Sequence, residues 1–128
     1  MIKIELRRFL IVGFTTVLID FICYHLMLLI VNSYAPAKAF GFVMGSIFAY
    51  FINKIWTFKH RNVANYSVSK FAILYLATLG VNVGLNGTLL SIFGTEWLSV
   101  QFAFLIATSV SAIINFMGMR MFVFVGKI

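Results

Sequence analysis

RRFLIVGFTTVLIDFICYHLMLLIV, residues 7–31, opens with two arginines and then stays apolar long enough to cross a bilayer. A spanning helix needs about 20 apolar residues at about 1.5 Å of rise each. From 9 to 31 the run is broken only by Asp20 and His25. Arginines before an apolar run also begin a signal peptide. This run is too long for one, carries Asp20, and has no small-x-small cleavage pattern before the next span. It reads as a retained first helix. Three more stretches of that kind follow. About 37–58 has Lys38 at one end and Lys54 near the other, about 71–94 carries no charge, and about 98–124 is uncharged until Arg120. The expected connections, 32–36, 59–70 and 95–97, are short, so the chain 1–128 is expected to be a single four-helix transmembrane domain.

Composition agrees. Of 128 residues 62% are apolar and 10% charged, and the mean hydropathy is +1.05. A soluble domain needs about a quarter of its residues charged. A 14.5 kDa globule has too much surface to hide this much apolar side chain. Lipid is therefore the solvent for much of the chain. Soluble enzyme, disordered tail and disulfide-stapled module are set aside, and the lone Cys23 excludes an internal disulfide. The net charge of +7 does not point to nucleic acid, because the basic residues punctuate apolar runs rather than cover a face.

Their placement sets an orientation. Lys3, Arg7, Arg8, Lys54, Lys59, Arg61, Lys70, Arg120 and Lys127 fall on one side of a four-span chain, and Lys38 alone falls on the other. Nine against one, by the positive-inside rule, puts both termini in the cytoplasm. Trp56 and Trp97 lie near the two interfaces, where aromatic residues concentrate.

The halves also align. Setting RRFLIVGFTTVLIDF (7–21) on SKFAILYLATLGVNV (69–83) matches Arg8 with Lys70, Phe9 with Phe71, Thr16 with Thr78 and Asp20 with Asn82. Setting NKIWTF (53–58) on MRMFVF (119–124) matches Lys54 with Arg120, Trp56 with Phe122 and Phe58 with Phe124. The offsets, 62 and 66, imply an insertion near the loop of the second copy. The expected fold is all-α, four transmembrane helices as two parallel helical-hairpin repeats, with an axis along the membrane normal.

RRFLIVGF with an Asp in mid helix one, FINKIWTF closing helix two, and NFMGMRMFVF closing helix four resemble the GtrA family of small membrane proteins. The resemblance extends over nearly the whole chain. It departs in Lys54 where Arg is common, in Asn53 directly before it, and in Phe122 where Trp is common. It implies translocation of a polyprenyl-phosphate-linked sugar across the bacterial inner membrane for cell-surface glycosylation. Similar segments are also fused to polyprenyl-phosphate glycosyltransferases, which makes such an enzyme a candidate partner.

Among the polar residues, Asp20, Lys54, Asn82, Asn115 and Arg120 are the candidate substrate-binding set. Asp20 lies near the bilayer midplane, where a charged carboxylate costs about 2.5–3.5 kcal/mol or more, so it is neutral or paired. It serves as a post for a sugar hydroxyl, as a proton-coupling group, or as one end of an interhelical bond to Asn82 or Asn86. Lys54 and Arg120 either clamp a phosphodiester at headgroup depth or simply snorkel to the surface. Arg8 and Lys70 read as topology determinants. Among the amides Asn53, Asn82, Asn86 and Asn115, packing is the ordinary role, and Asn115 matches the family's Asn-Phe. Asn82 is kept in the set as the repeat mate of Asp20. Gly41, Gly45 and Ala49, and again Gly80 and Gly84 with Ala77 nearby, are small-residue stripes that pack within the chain or between subunits. His25 reads as a buried, hydrogen-bonded residue, and His60 lies in a loop.

No metal site, cofactor or catalytic constellation is expected, and the chain does not read as an enzyme. Basic helix ends would hold the phosphate while the sugar slides past Asp20 and the asparagines, with the tail in membrane lipid. Four helices give a thin wall for such a path, which leaves room for a homo-oligomer. Two other readings stay open: a proton-coupled exporter of the small multidrug type, and a non-transporting anchor for a membrane glycosyltransferase.

Overall fold

A computed structural model describes residues 2–59 and 67–124. His60, Arg61 and Lys127 lie outside the described residues. Four helices follow one another: α1 (Ile2–Val31), α2 (Tyr34–Ile52), α3 (Ser67–Phe93) and α4 (Trp97–Gly118). All four are long and apolar enough to cross a membrane, and no strand occurs among the described residues.

The helices start earlier than hydropathy alone implies. α1 begins at Ile2, because nothing in IKIELRR breaks a helix. α2 begins at Tyr34 and takes in Pro36 at its third position. Proline is tolerated there because first-turn N–H groups have no partner within the helix. α3 begins at Ser67. The first connection is therefore only Asn32 and Ser33. Asn32 takes the left-handed conformation (φ 59°) and donates its N–H to Leu28 O at 3.1 Å. Gly94 does the same after α3, with φ 91° and a 2.8 Å bond to Leu90 O. Such residues end helices by satisfying a last-turn carbonyl.

α2 and α4 each widen at their far end into one π-helical turn, Asn53–Thr57 and Met119–Val123. Phe58 N–H bonds Asn53 O at 2.9 Å, and Phe124 N–H bonds Met119 O at 2.8 Å. π turns are rare and cluster at functional sites. The two here carry Lys54 and Arg120 at the same place. α2 has 19 residues before its turn and α4 has 22. These three residues, with one more in the loop, account for the change of offset from 62 to 66.

α1 packs chiefly on α2 and α3 on α4, and of the neighbouring pairs in the bundle α1 and α4 touch least. The α1–α2 contact rests on the Gly41–Gly45 stripe. A Cβ on Gly41 would lie 2.5 Å from Asp20 Oδ1, and one on Gly45 would lie 3.2 Å from Thr16 O. Gly80 and Gly84 have open space around them, so that stripe faces outward. Two aromatic cores result. One, at the π-turn end, holds Phe42, Tyr50, Phe58, Tyr75, Phe116 and Phe124. The other, at the loop end, holds Tyr24, Leu90, Val100 and Phe104. Phe58 and Phe124 stack on each other at 5.4 Å between the two π turns. The outer surface is apolar, as lipid requires; Leu29, Phe14 and Leu76 all point outward.

Candidate functional site

Between the two aromatic cores the bundle turns polar. A cavity of about 330 Å³ lies there, with contributions from all four helices. Helical spacing builds its walls. Thr16 and Asp20 are one turn apart on α1, and Thr108, Ser111 and Asn115 share a face of α4. Ser46 and Asn53 come from α2, and Asn82 from α3.

Asp20 is held by Lys38. Its Oδ2 accepts a hydrogen bond from Lys38 Nζ at 2.8 Å. Lys38 is fully buried, with Nζ 4.5 Å from the Phe104 ring centroid and 5.8 Å from that of Tyr24. This corrects two expectations. The partner of Asp20 is neither Asn82 nor Asn86, and Lys38 is not a surface charge. A lone acid and a lone base in neighbouring spans are each too costly in lipid to remain apart. That was the available signal. The close approach allowed by Gly41 lets them meet.

Asn82 donates instead to Ser111 Oγ at 2.9 Å and to Ala107 O at 3.4 Å. Asn86 donates to Tyr24 OH at 3.4 Å. Asn53 accepts from Thr57 Oγ1 at 2.6 Å, inside the first π turn. After these bonds, six buried polar atoms of cavity-lining residues have no hydrogen-bond partner: Thr16 Oγ1, Asp20 Oδ1, Asn53 Nδ2, Asn82 Oδ1, Thr108 Oγ1 and Asn115 Oδ1. Each such atom costs about 1–3 kcal/mol when left unsatisfied. A guest that brings hydroxyl groups would recover that cost, and a hydrocarbon guest would not.

Of the sequence candidates, Asp20, Asn82 and Asn115 meet around the cavity. Lys54 and Arg120 do not line it. They sit on the two π turns. Lys54 is exposed, with Nζ 5.6 Å from the Tyr50 ring centroid. Arg120 Nε donates to Glu5 Oε1 at 3.0 Å. The neighbouring cations dock in matching ways: Arg8 lies 5.7 Å from the Trp56 ring and donates to Trp56 O at 3.0 Å, and Lys70 Nζ lies 5.3 Å from the Phe122 ring. His25 is half-buried, with Nε2 3.5 Å from Gln101 Nε2. Thr16, Ser46, Asn53, Thr108 and Ser111 were not among the candidates. The 108–111–115 spacing on one helix face was the signal for the α4 members, and the one-turn step from Asp20 was the signal for Thr16.

Residues 8–124 match the family model described as GtrA/DPMS, transmembrane domain. The chain is also 31% identical over 120 residues to the uncharacterized membrane protein YngA of Bacillus subtilis (strain 168), covering 93% of this chain and 78% of that one. No solved structure matches.

Proposed function

The chain belongs to the GtrA/DPMS transmembrane-domain family, and on that premise we propose that it carries a polyprenyl-phosphate-linked sugar across the bacterial inner membrane. The observation behind this is the set of six unpartnered, buried polar atoms on residues that line a cavity among apolar helices. The main barrier to moving a sugar through lipid is stripping water from its hydroxyls, which costs about 2–7 kcal/mol for each unpaired group. Amide and carboxylate oxygens at mid-bundle replace that water one bond at a time. The hydrocarbon tail needs no such path and stays in the bilayer.

The roles follow from position. Asp20 Oδ1, Asn82 Oδ1 and Asn115 Oδ1 accept hydrogen bonds from sugar hydroxyls. Lys38 holds the Asp20 carboxylate in place through its bond to Oδ2. With Oδ2 occupied by Lys38, the carboxylate suits a fixed post better than the exchangeable acid a proton-coupled exporter requires. The π-turn cations Lys54 and Arg120, with Arg8 and Lys70 close to the same turns, attract the phosphate at headgroup depth. The chain is not itself an enzyme in this reading, and a membrane glycosyltransferase consumes or supplies the lipid-linked sugar.

Both termini are cytoplasmic in this reading, since seven of the eight Lys and Arg among the described residues fall on the π-turn side. The helices form two parallel hairpin repeats. The left-handed turn residues Asn32 and Gly94, the twin π turns and the twin cation–ring contacts support that arrangement. The test is reconstitution in liposomes with a fluorescent polyprenyl-phosphate-hexose, following its accessibility to a membrane-impermeant quencher. The wild type should speed transbilayer movement well above protein-free liposomes, and Asp20→Ala should remove most of the gain. Equal rates in all three samples would refute translocation.

A further inference from the structure

The cavity is not closed equally on its two flanks. Where α2 meets α3, rings form a continuous wall: Tyr50 on Phe71 at 4.6 Å, Phe71 on Tyr75 at 3.9 Å, and Phe42 on Tyr75 at 5.8 Å. Tyr75 is buried in that wall and lines the cavity. Where α1 meets α4, rings close only the two ends of the seam. Phe9 meets Phe116 at 4.9 Å, and Phe21 meets Phe104 at 5.5 Å. Phe9 and Phe21 are twelve residues apart, as are Phe104 and Phe116. That leaves a window about 18 Å tall between the two ring pairs. Gly13 stands within it, four residues after Phe9, just as Tyr75 stands four residues after Phe71. A Cβ at Gly13 would touch nothing within 4 Å. The residue that plugs one flank is missing from the other.

The margins of this window have a double character. Leu10, Phe14 and Leu105 line the cavity, yet all three are largely exposed on the outer, lipid-facing surface. An apolar rim around acceptor oxygens fits an amphiphile that keeps a long hydrocarbon chain outside and inserts a hydroxylated head. We propose that the window between α1 and α4 is the lateral portal of the cavity, and the only flank through which a lipid with a polyhydroxylated head reaches it. The head lies among Asp20, Asn82 and Asn115, and the chain lies along Leu10, Phe14 and Leu105. Its charged phosphate stays outside, because Lys38, the one buried cation among the described residues, is already committed to Asp20. This inference rests on the translocation reading for the identity of the lipid, while the side from which that lipid approaches is tested separately.

Phe14 and Leu76 make the comparison clean. They occupy matching places on α1 and α3, five residues after Phe9 and Phe71, and are 70% and 69% exposed. The photoreactive residue p-benzoylphenylalanine would replace one or the other in the full chain. The protein would be placed in liposomes with a radiolabelled polyprenyl-phosphate-hexose and irradiated. Capture at position 14 should exceed capture at 76 by about tenfold, and excess unlabelled probe should suppress it. Adding Gly13→Tyr should reduce the capture at 14 to the level at 76, with melting in detergent showing whether that variant folds. Equal capture at the two positions, or capture at 14 that excess probe does not reduce, would overturn the portal whether or not Gly13→Tyr folds. Competable capture by the position-14 variant, with a wild type that does not speed transbilayer movement, would instead overturn translocation and leave the portal standing. A wild type that moves the probe, with equal capture by the two photoreactive variants, would do the reverse.

Discussion

The first hairpin, α1–α2, and the second, α3–α4, share a left-handed turn residue and a terminal π turn, yet they treat their polar layers differently. Asp20 stands four residues after Thr16, and Asn82 four residues after Thr78. In the first hairpin that position is a carboxylate, and it brings with it a buried lysine and two close-packed glycines. In the second it is an amide that bonds across to Ser111 and the Ala107 carbonyl. The Lys38 counterpart there, 66 residues on, is Phe104, whose ring lies against Lys38 itself. The N–H groups of the Asn82 amide find acceptors that α4 already offers, while its Oδ1 stays unpartnered. A carboxylate needs a cation, and that requirement is what sets the first hairpin apart.

The sharpest way to break this contrast is to remove the cation. Lys38→Met leaves the buried carboxylate without its ion partner and should cost about 3–5 kcal/mol, read as unfolding in mixed micelles. The double variant Asp20→Leu with Lys38→Met should recover most of that stability while losing transport. A Lys38→Met protein as stable as the wild type would mean that the pair contributes nothing.

The glycines separate the hairpins next. Gly41→Ala drives a methyl against the Asp20 side chain and backbone and should destabilise by about 1–3 kcal/mol. Gly80→Ala meets nothing and should stabilise by about 0.5–1 kcal/mol through helix preference alone. The same thermal melts check both. Replacing the second hairpin's amide is a smaller matter. Asn82→Leu should cost about 0.6 kcal/mol, the typical value of a side-chain hydrogen bond in a membrane bundle. Lys54→Gln, on the exposed side of its π turn, should change stability by less than about 0.5 kcal/mol. Its expected effect is a lower rate of movement that high salt imitates in the wild type, because a phosphate-attracting charge at the surface is screened.

Much of the fold was legible from hydropathy. Four runs near 20 residues leave few alternatives in lipid, and the Gly41–Gly45 stripe announced a close helix contact. Helix starts were not legible, because residues such as Ile2–Glu5 and Ser67–Lys70 are helical without being apolar enough to count as span. The π turns were invisible too, since one extra backbone residue per turn leaves no trace in composition. Asp20 was recognisable because a charged side chain is conspicuous in an apolar helix, Asn82 as its repeat mate, and Asn115 through the resemblance to the family's Asn-Phe. Lys38 was misplaced because nearness to a helix end looks like nearness to water, and only the tertiary contact with Asp20 shows otherwise. Lys54 and Arg120 were recognised as a pair by their spacing. Spacing alone could not reveal that Arg120 turns to Glu5 while Lys54 stays exposed on its own turn.

Asn115→Leu tests the central claim most directly, since it removes one unpartnered cavity oxygen, keeps the side-chain volume close to native and leaves the Asp20–Lys38 pair untouched. In liposomes holding a fluorescent polyprenyl-phosphate-hexose, the account predicts a transbilayer rate reduced about tenfold, the loss of a hydrogen bond worth about 1.4 kcal/mol, with melting at or above the wild-type temperature. A rate equal to wild type in a variant that melts normally would contradict the idea that the sugar passes through this cavity.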